Sequence, residues 1–233
     1  MRLIPLILIL SLILGCLVAC VRVGEMEEES QKIPLGDAES LDIHLRMNAG
    51  EMRIQGGTSE LMDGYFQYNI RRWKPKIEHK IADSKGILTI QQRKSSGIPL
   101  GKTRNRWEIS FNPHLPLDLE IDFGAGEARL DFQELHLRHL DVHMGVGDLT
   151  LNLAGERKFS MNGAIKGGIG HATIYLPQNI GVRVTVDGGI GSVNASGFMK
   201  SGETYTNKAF GTTDVSIDLK IKAGIGSIDL KLR

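Results

Sequence analysis

A Gly-x-Gly unit recurs six times along this chain, as Asn48-Ala49-Gly50, Gly124-Ala125-Gly126, Gly145-Val146-Gly147, Gly168-Ile169-Gly170, Gly189-Ile190-Gly191 and Gly224-Ile225-Gly226. Each copy opens a short alternating segment: Glu51 to Ile54, Glu127 to Phe132, Asp148 to Leu153, His171 to Leu176, Ser192 to Ser196 and Ser227 to Leu232. A unit repeated at near-constant spacing builds stacked rungs, each covering the apolar face of the next. From Gly126 the second glycines follow at 21, 23 and 21 residues. The last step, Gly191 to Gly226, is 35 residues and carries an insertion, while the first, Gly50 to Gly126, is 76 and leaves room for a subregion.

The phase of the apolar residues sharpens this. Before the glycine pairs they step by two, as in Leu117, Leu119, Ile121, Phe123 and in Ile180, Val182, Val184, Val186. Period two is a strand with one buried face. The middle residues (Ala49, Ala125, Val146, Ile169, Ile190, Ile225) extend that series, and the next apolar residue comes three positions later in all six copies. Such a slip turns a face outward unless the chain bulges or turns a corner. Glycine suits a corner, and Asn48, which tolerates αL, stands in for it in the first copy. The expectation is an all-β fold, a single-stranded β-solenoid of strand, corner, strand with the middle residues on the inner side. A β-sandwich with glycine-rich turns is the alternative. No sustained helical period follows residue 24.

The first residues read as an address. Arg2 precedes an apolar run, Leu3 to Leu14, and Leu17-Val18-Ala19-Cys20 resembles the lipobox of bacterial lipoproteins. That resemblance implies a signal over residues 1–19, a lipidated Cys20 and a polar tether to about residue 40, with the solenoid over 41–233. The mature chain would then keep no free thiol. The other possibility is an uncleaved anchor, since Leu3 to Val23 is long enough to span a bilayer. Either places the body outside the cytoplasmic membrane, at the outer membrane or on the outer face of the inner one.

Charge is segregated although the net is +1. Residues 70–106 hold eleven Lys and Arg against Glu78 and Asp83. They fall within a strand-rich stretch, about 58–116, that reads as an inserted antiparallel meander. Arg71, Arg72, Lys74, Arg104 and Arg106 are its candidate contacts with anionic head groups or anionic envelope polymer. Nucleic acid is not an expected partner for an exported chain.

Two side-chain sets could carry chemistry. His139, Asp141 and His143 alternate on one strand face and form a weak metal candidate; beyond it no metal or cofactor is expected. Glu127, Asp148 and His171 occupy the first position after successive corners, where β-helix enzymes acting on polysaccharides place acid and base groups. A polar outer column is also what any solenoid needs for solubility. There is no nucleophile elbow, phosphate loop or dinucleotide fingerprint. Finally, Ser227 to Leu232 ends the chain without a capping segment, which predicts an open strand edge for self-association or a partner.

The Gly-Ala-Gly-Glu-Ala-Arg-Leu and Gly-Val-Gly-Asp-Leu-Thr-Leu segments, with the Gly-Ile-Gly units after them, resemble the bacterial toast-rack family of envelope proteins. They are also similar to head domains of auto-transporter-type adhesins. The resemblance implies a non-catalytic binding or scaffolding module at the cell envelope, held by its lipid, with an envelope membrane protein as one expected partner. Some toast-rack relatives regulate envelope-stress signalling, so a link to that response is a further expectation from the resemblance, although those relatives typically carry several transmembrane helices and this chain has one N-terminal apolar segment.

Overall fold

The computed structural model describes residues 20–93 and 98–233. The signal expected at 1–19 lies outside them. A short strand, β1 (Cys20–Arg22), is followed by β2 (Glu27–Ile33), the long β3 (Ser40–Gly56) and β4 (Met62–Tyr68). After a single 3-10 turn (Arg71–Trp73) come β5 (Pro75–Ala82), β6 (Lys85–Gln92), β7 (Ile98–Leu100) and β8 (Asn105–Phe111). Three long strands follow: β9 (Pro116–Asp131), β10 (His136–Asn152) and β11 (Met161–Leu176). The chain closes with β12 (Gly181–Asp187), β13 (Ile190–Ser196), β14 (Met199–Ser201), β15 (Thr204–Thr206) and β16 (Ser216–Leu232).

The all-β solenoid expectation holds. Fourteen strands form one sheet, and β3, β9, β10, β11 and β16 lie parallel and in register. The six glycine units stack: Gly50 pairs with Gly126, Gly126 with Gly147, Gly147 with Gly170, Gly170 with Gly226, and Gly226 with Gly191. One apolar core runs along the stack, from Leu41 and Leu117 through Leu140 and Ile174 to Ile217. Phe66 and Trp107 meet edge to face within it at 5.7 Å. Each such fully buried side chain contributes about 1.5–3 kcal/mol.

Three strands, β8, β9 and β10, end in a second corner, an Asx turn, which the glycine pattern does not announce. Asn112, Asp131 and Asn152 each accept, through Oδ1, the N–H two residues on, from His114, Gln133 and Ala154. These corners also stack, since the Phe132 N–H donates to the Asn152 carbonyl and the Leu153 N–H to that of Tyr175.

Five expectations need correction. First, two of the middle residues, Ala125 and Val146, do not face the core. Ala125 is exposed and Val146 is 53% exposed, so burial stops at Phe123 or Met144 and resumes at Ala128 or Leu149. Second, the two glycines of a unit serve different needs. Positive φ falls on the second glycine in five units, as at Gly147 (φ 135), and on the first, Gly189 (φ 95), in the remaining one; neither Gly124 nor Asn48 has it. Gly124 is small because a Cβ there would overlap the Asn48 carbonyl oxygen of the adjacent rung. Third, the stretch expected as a tether, residues 20–40, is structured: β1 pairs parallel with β7, and β2 begins at Glu27. β2 pairs antiparallel with β4, and its polar sequence reflects a border strand that buries only Ile33.

Fourth, the basic insertion is only partly an antiparallel meander. β4 with β8 and β5 with β6 are antiparallel, but β6 and β8 also lie parallel on the two halves of β3, forming one more rung split at residues 93–104. Asn48 faces that split, and its N–H donates to Gln92 Oε1 at 2.9 Å. Fifth, the C-terminal strand is not an edge. β16 lies between β11 and the pair β12 and β13, so the last rung in sequence is inserted before the last rung in space. The 35-residue step is the detour this requires: β12 and β13 are laid down first, the β14–β15 hairpin borders β12, and the chain then returns as β16.

Candidate functional site

Two outward faces of the solenoid carry the polar columns, one on each side of the glycine corner. On the face before it, Arg46, Asp122, His143 and Lys166 are register neighbours, as are His44, Glu120 and Asp141. Arg46 donates to Asp122 Oδ2 through Nε (3.0 Å) and Nη2 (2.9 Å), and His143 Nδ1 lies 3.1 Å from Asp122 Oδ1. His44 Nδ1 lies 2.9 Å from Glu120 Oε2. Partial burial alone would raise the Asp122 carboxyl, but the hydrogen bonds from Arg46 and His143 outweigh it and hold the group below the usual range.

His139, Asp141 and His143 do face outward, yet they do not converge. His143 turns to Asp122 on the preceding rung, while His139 bonds Asp141 at 3.0 Å and also Asn162. Burial opposes the charged His139 ring, but these two bonds prevail and raise its pKa. The group whose ligand atoms come within 4.8 Å of one another is Glu120, Asp122 and His143. A cation there would have to displace Arg46 from Asp122, so this face reads as an ion-pair ladder across rungs.

The face after the corner differs. Glu51, Glu127, Asp148, His171, Ser227 and Ser192 fall in one register column. Its first three members border an open groove of about 440 Å³, together with Trp73, Thr103, Arg104 and Asn105. Arg104 Nη1 donates to Glu51 Oε1 at 3.1 Å, and Arg129 pairs with Glu127. Among the described residues Asp148 has no ion-pair partner. His171 lies outside the groove, bonding Ser227 Oγ at 2.6 Å and Thr173 Oγ1 at 3.1 Å. The structure therefore brings Glu127 and Asp148 together and sends His171 elsewhere.

Trp73 is the groove-lining side chain that the repeat could not reveal, because the 3-10 turn carries it in from the insertion. Its signal is local: an aromatic residue inside the charged run Arg71-Arg72-Trp73-Lys74 has no core face to serve. A half-exposed indole beside carboxylates suits a sugar, whose ring stacks on the aromatic face while its hydroxyls donate to the acids.

The basic candidates separate as well. Lys74 is paired with Glu29 (2.9 Å), Arg104 with Glu51 and Arg106 with Glu108 on its own strand. The Lys74 ammonium is raised above its usual value chiefly by the hydrogen bond with Glu29. Arg71 and Arg72 are exposed and without ion-pair partners among the described residues.

Residues 22–175 match the family described as the N-terminal domain of toast_rack, DUF2154. A crystal structure of a candidate cell adhesion protein from Clostridium sporogenes ATCC 15579 superposes with a TM-score of 0.87 at 36% identity, over 90% of this chain and 100% of that one. That of a candidate adhesin from Bacteroides fragilis NCTC 9343 covers 90% of this chain and 99% of the other, at 14% identity and a TM-score of 0.35. The first likeness is close enough to inform function; the second is not. No curated protein sequence matches the chain.

Proposed function

This chain belongs to the toast-rack family, and from that membership we propose that it is a non-catalytic, adhesin-like binding module on the outer side of the cytoplasmic membrane, anchored by lipid at Cys20. The observation that carries the reading is the whole-length likeness to the clostridial candidate adhesion protein. The groove of Trp73, Glu51, Glu127 and Asp148 is the binding surface, and an envelope polysaccharide is its ligand class. No helix among the described residues is long and apolar enough to cross a membrane. Attachment in this reading comes from acyl chains, each buried CH₂ adding about 0.8 kcal/mol.

Two measurements test this. The protein should co-sediment with isolated envelope polysaccharide without releasing soluble fragments, and Trp73→Ala should weaken binding about tenfold, the loss of one stacked ring. Fragment release abolished by Asp148→Asn would instead establish an enzyme. Separately, Cys20→Ala should eliminate fatty-acid labelling of the chain in cells. Labelling that persists would shift the modification to Cys16, and firm retention without any acylation would replace the lipid by the uncleaved anchor.

A further inference from the structure

The start of the described chain, the 3-10 turn and the loop before β8 are fastened into one surface. β1 lies parallel to β7, with Cys20 opposite Ile98 and Arg22 opposite Leu100. Asn69 joins the pieces. Its carbonyl accepts the Gly24 N–H (2.7 Å), its Nδ2 donates to the Lys102 carbonyl (2.9 Å), and its Oδ1 accepts the Arg104 N–H (2.7 Å). Arg71 and Arg72 follow two and three residues later.

This surface has an unusual composition. Arg22, Arg71, Arg72 and Lys102 are all exposed, and none has an ion-pair partner among the described residues. Two large apolar side chains share the same end: Leu100 is 67% exposed and Met26 is 48% exposed. The neighbouring acids are Glu25 and Glu27, also exposed, while Glu29 is occupied by Lys74 and Glu51 by Arg104. Unpaired cations around exposed apolar residues suit an anionic bilayer surface, where the apolar groups enter the interface and the cations meet head groups.

We infer that the end of the solenoid formed by residues 20–26, 69–72 and 98–102 docks flat on an anionic membrane surface, beside the groove of Trp73 and Arg104 and not over it. The occupant follows from chain continuity. The apolar run Leu3 to Leu14 and Cys20 lead directly into β1, so either mode of attachment brings the bilayer to this end. The inference rests on the anchored reading above and adds an orientation to it.

The test uses the full chain, acylated as isolated from cells and reconstituted into vesicles of zwitterionic lipid or of an equal mixture with anionic lipid. A Leu100→Trp reporter is placed in a Trp73→Phe background; Trp107, fully buried, supplies a constant signal. Bromine-labelled lipid should quench the reporter at least about threefold more in anionic than in zwitterionic vesicles, and high salt should remove the difference. Arg71→Glu with Arg72→Glu should do the same while leaving circular dichroism and Tm unchanged. Equal quenching in the two vesicles, or none, would overturn the docked face. Flotation of the same samples separates the two claims. Protein that floats without reporter quenching is anchored but not docked; protein that fails to float with either vesicle overturns the anchor and the docked face with it.

Discussion

Gly147→Val is expected to lower stability by about 4 kcal/mol or more, read as a fall in Tm of about 10 °C or greater by circular dichroism. Two costs add at this position. The backbone has φ 135, where a β-branched residue is strained by about 1–3 kcal/mol. A Cβ would also overlap the Gly126 carbonyl oxygen, and that rung is itself held in register against the next, where Gly126 pairs with Gly50. Other glycines separate the terms. Gly124→Ala meets the adjacent carbonyl without positive φ, while Gly57→Ala has φ 114 and open space around it. Gly167 has neither constraint, so Gly167→Ala should be neutral or stabilise by up to about 1 kcal/mol. An unchanged Tm for Gly147→Val would remove the stacked corner from the fold.

That contrast explains how far the sequence could be read. Repetition exposes whatever every rung must satisfy in the same way, and close backbone stacking is such a demand. The glycine columns and the inter-rung register were therefore legible residue by residue. The direction of the middle residue was not, because period two predicts Val146 inward and only the corner geometry turns it out. The second corner escaped because an Asx turn accepts Asn112, Asp131 or Asn152 and leaves the next residue free. β2 escaped because a border strand with a single buried side chain carries no period at all.

The candidate site divides along the same line. The column of Glu51, Glu127 and Asp148 could be read off the repeat, since stacked rungs place equal positions side by side. What makes it a groove is Trp73 and Arg104, delivered by the insertion, whose placement depends on Asn69 holding three chain segments together. The ion-pair ladder was half legible: His139, Asp141 and His143 do share a face, but pairing runs across rungs as well as along them. His143 therefore serves Asp122. Its consequence is a pH window. The Asp122 carboxyl is lowered in the folded state, so its contribution is present above the ordinary carboxylate range and is lost as pH falls through its depressed value.

Asn207→Asp should be the most damaging single-atom exchange in the C-terminal half, costing about 3–5 kcal/mol near neutral pH. Asn207 is 1% exposed. Its Nδ2 faces the carbonyls of Pro177 (3.1 Å), Gln178 (3.4 Å) and Ile180 (2.7 Å), and its Oδ1 accepts the Val182 N–H at 2.9 Å. The backbone completes the clamp, since the Asn207 N–H donates to the Val182 carbonyl. This clamp fixes the turn into β12 and so sets aside the last spatial rung while the chain detours and returns as β16. An aspartate would aim a second anionic oxygen at three carbonyls in a buried site. Burial and those carbonyls raise its folded pKa, so the defect should be full at neutral pH and shrink as pH falls toward about 4, where the neutral acid can donate one hydrogen bond. Urea melts at pH 7 and pH 4.5 check this: the gap between variant and parent should narrow at the lower pH. A gap that is equal at both would mean that the site admits water and that the clamp does not hold the inserted strand order.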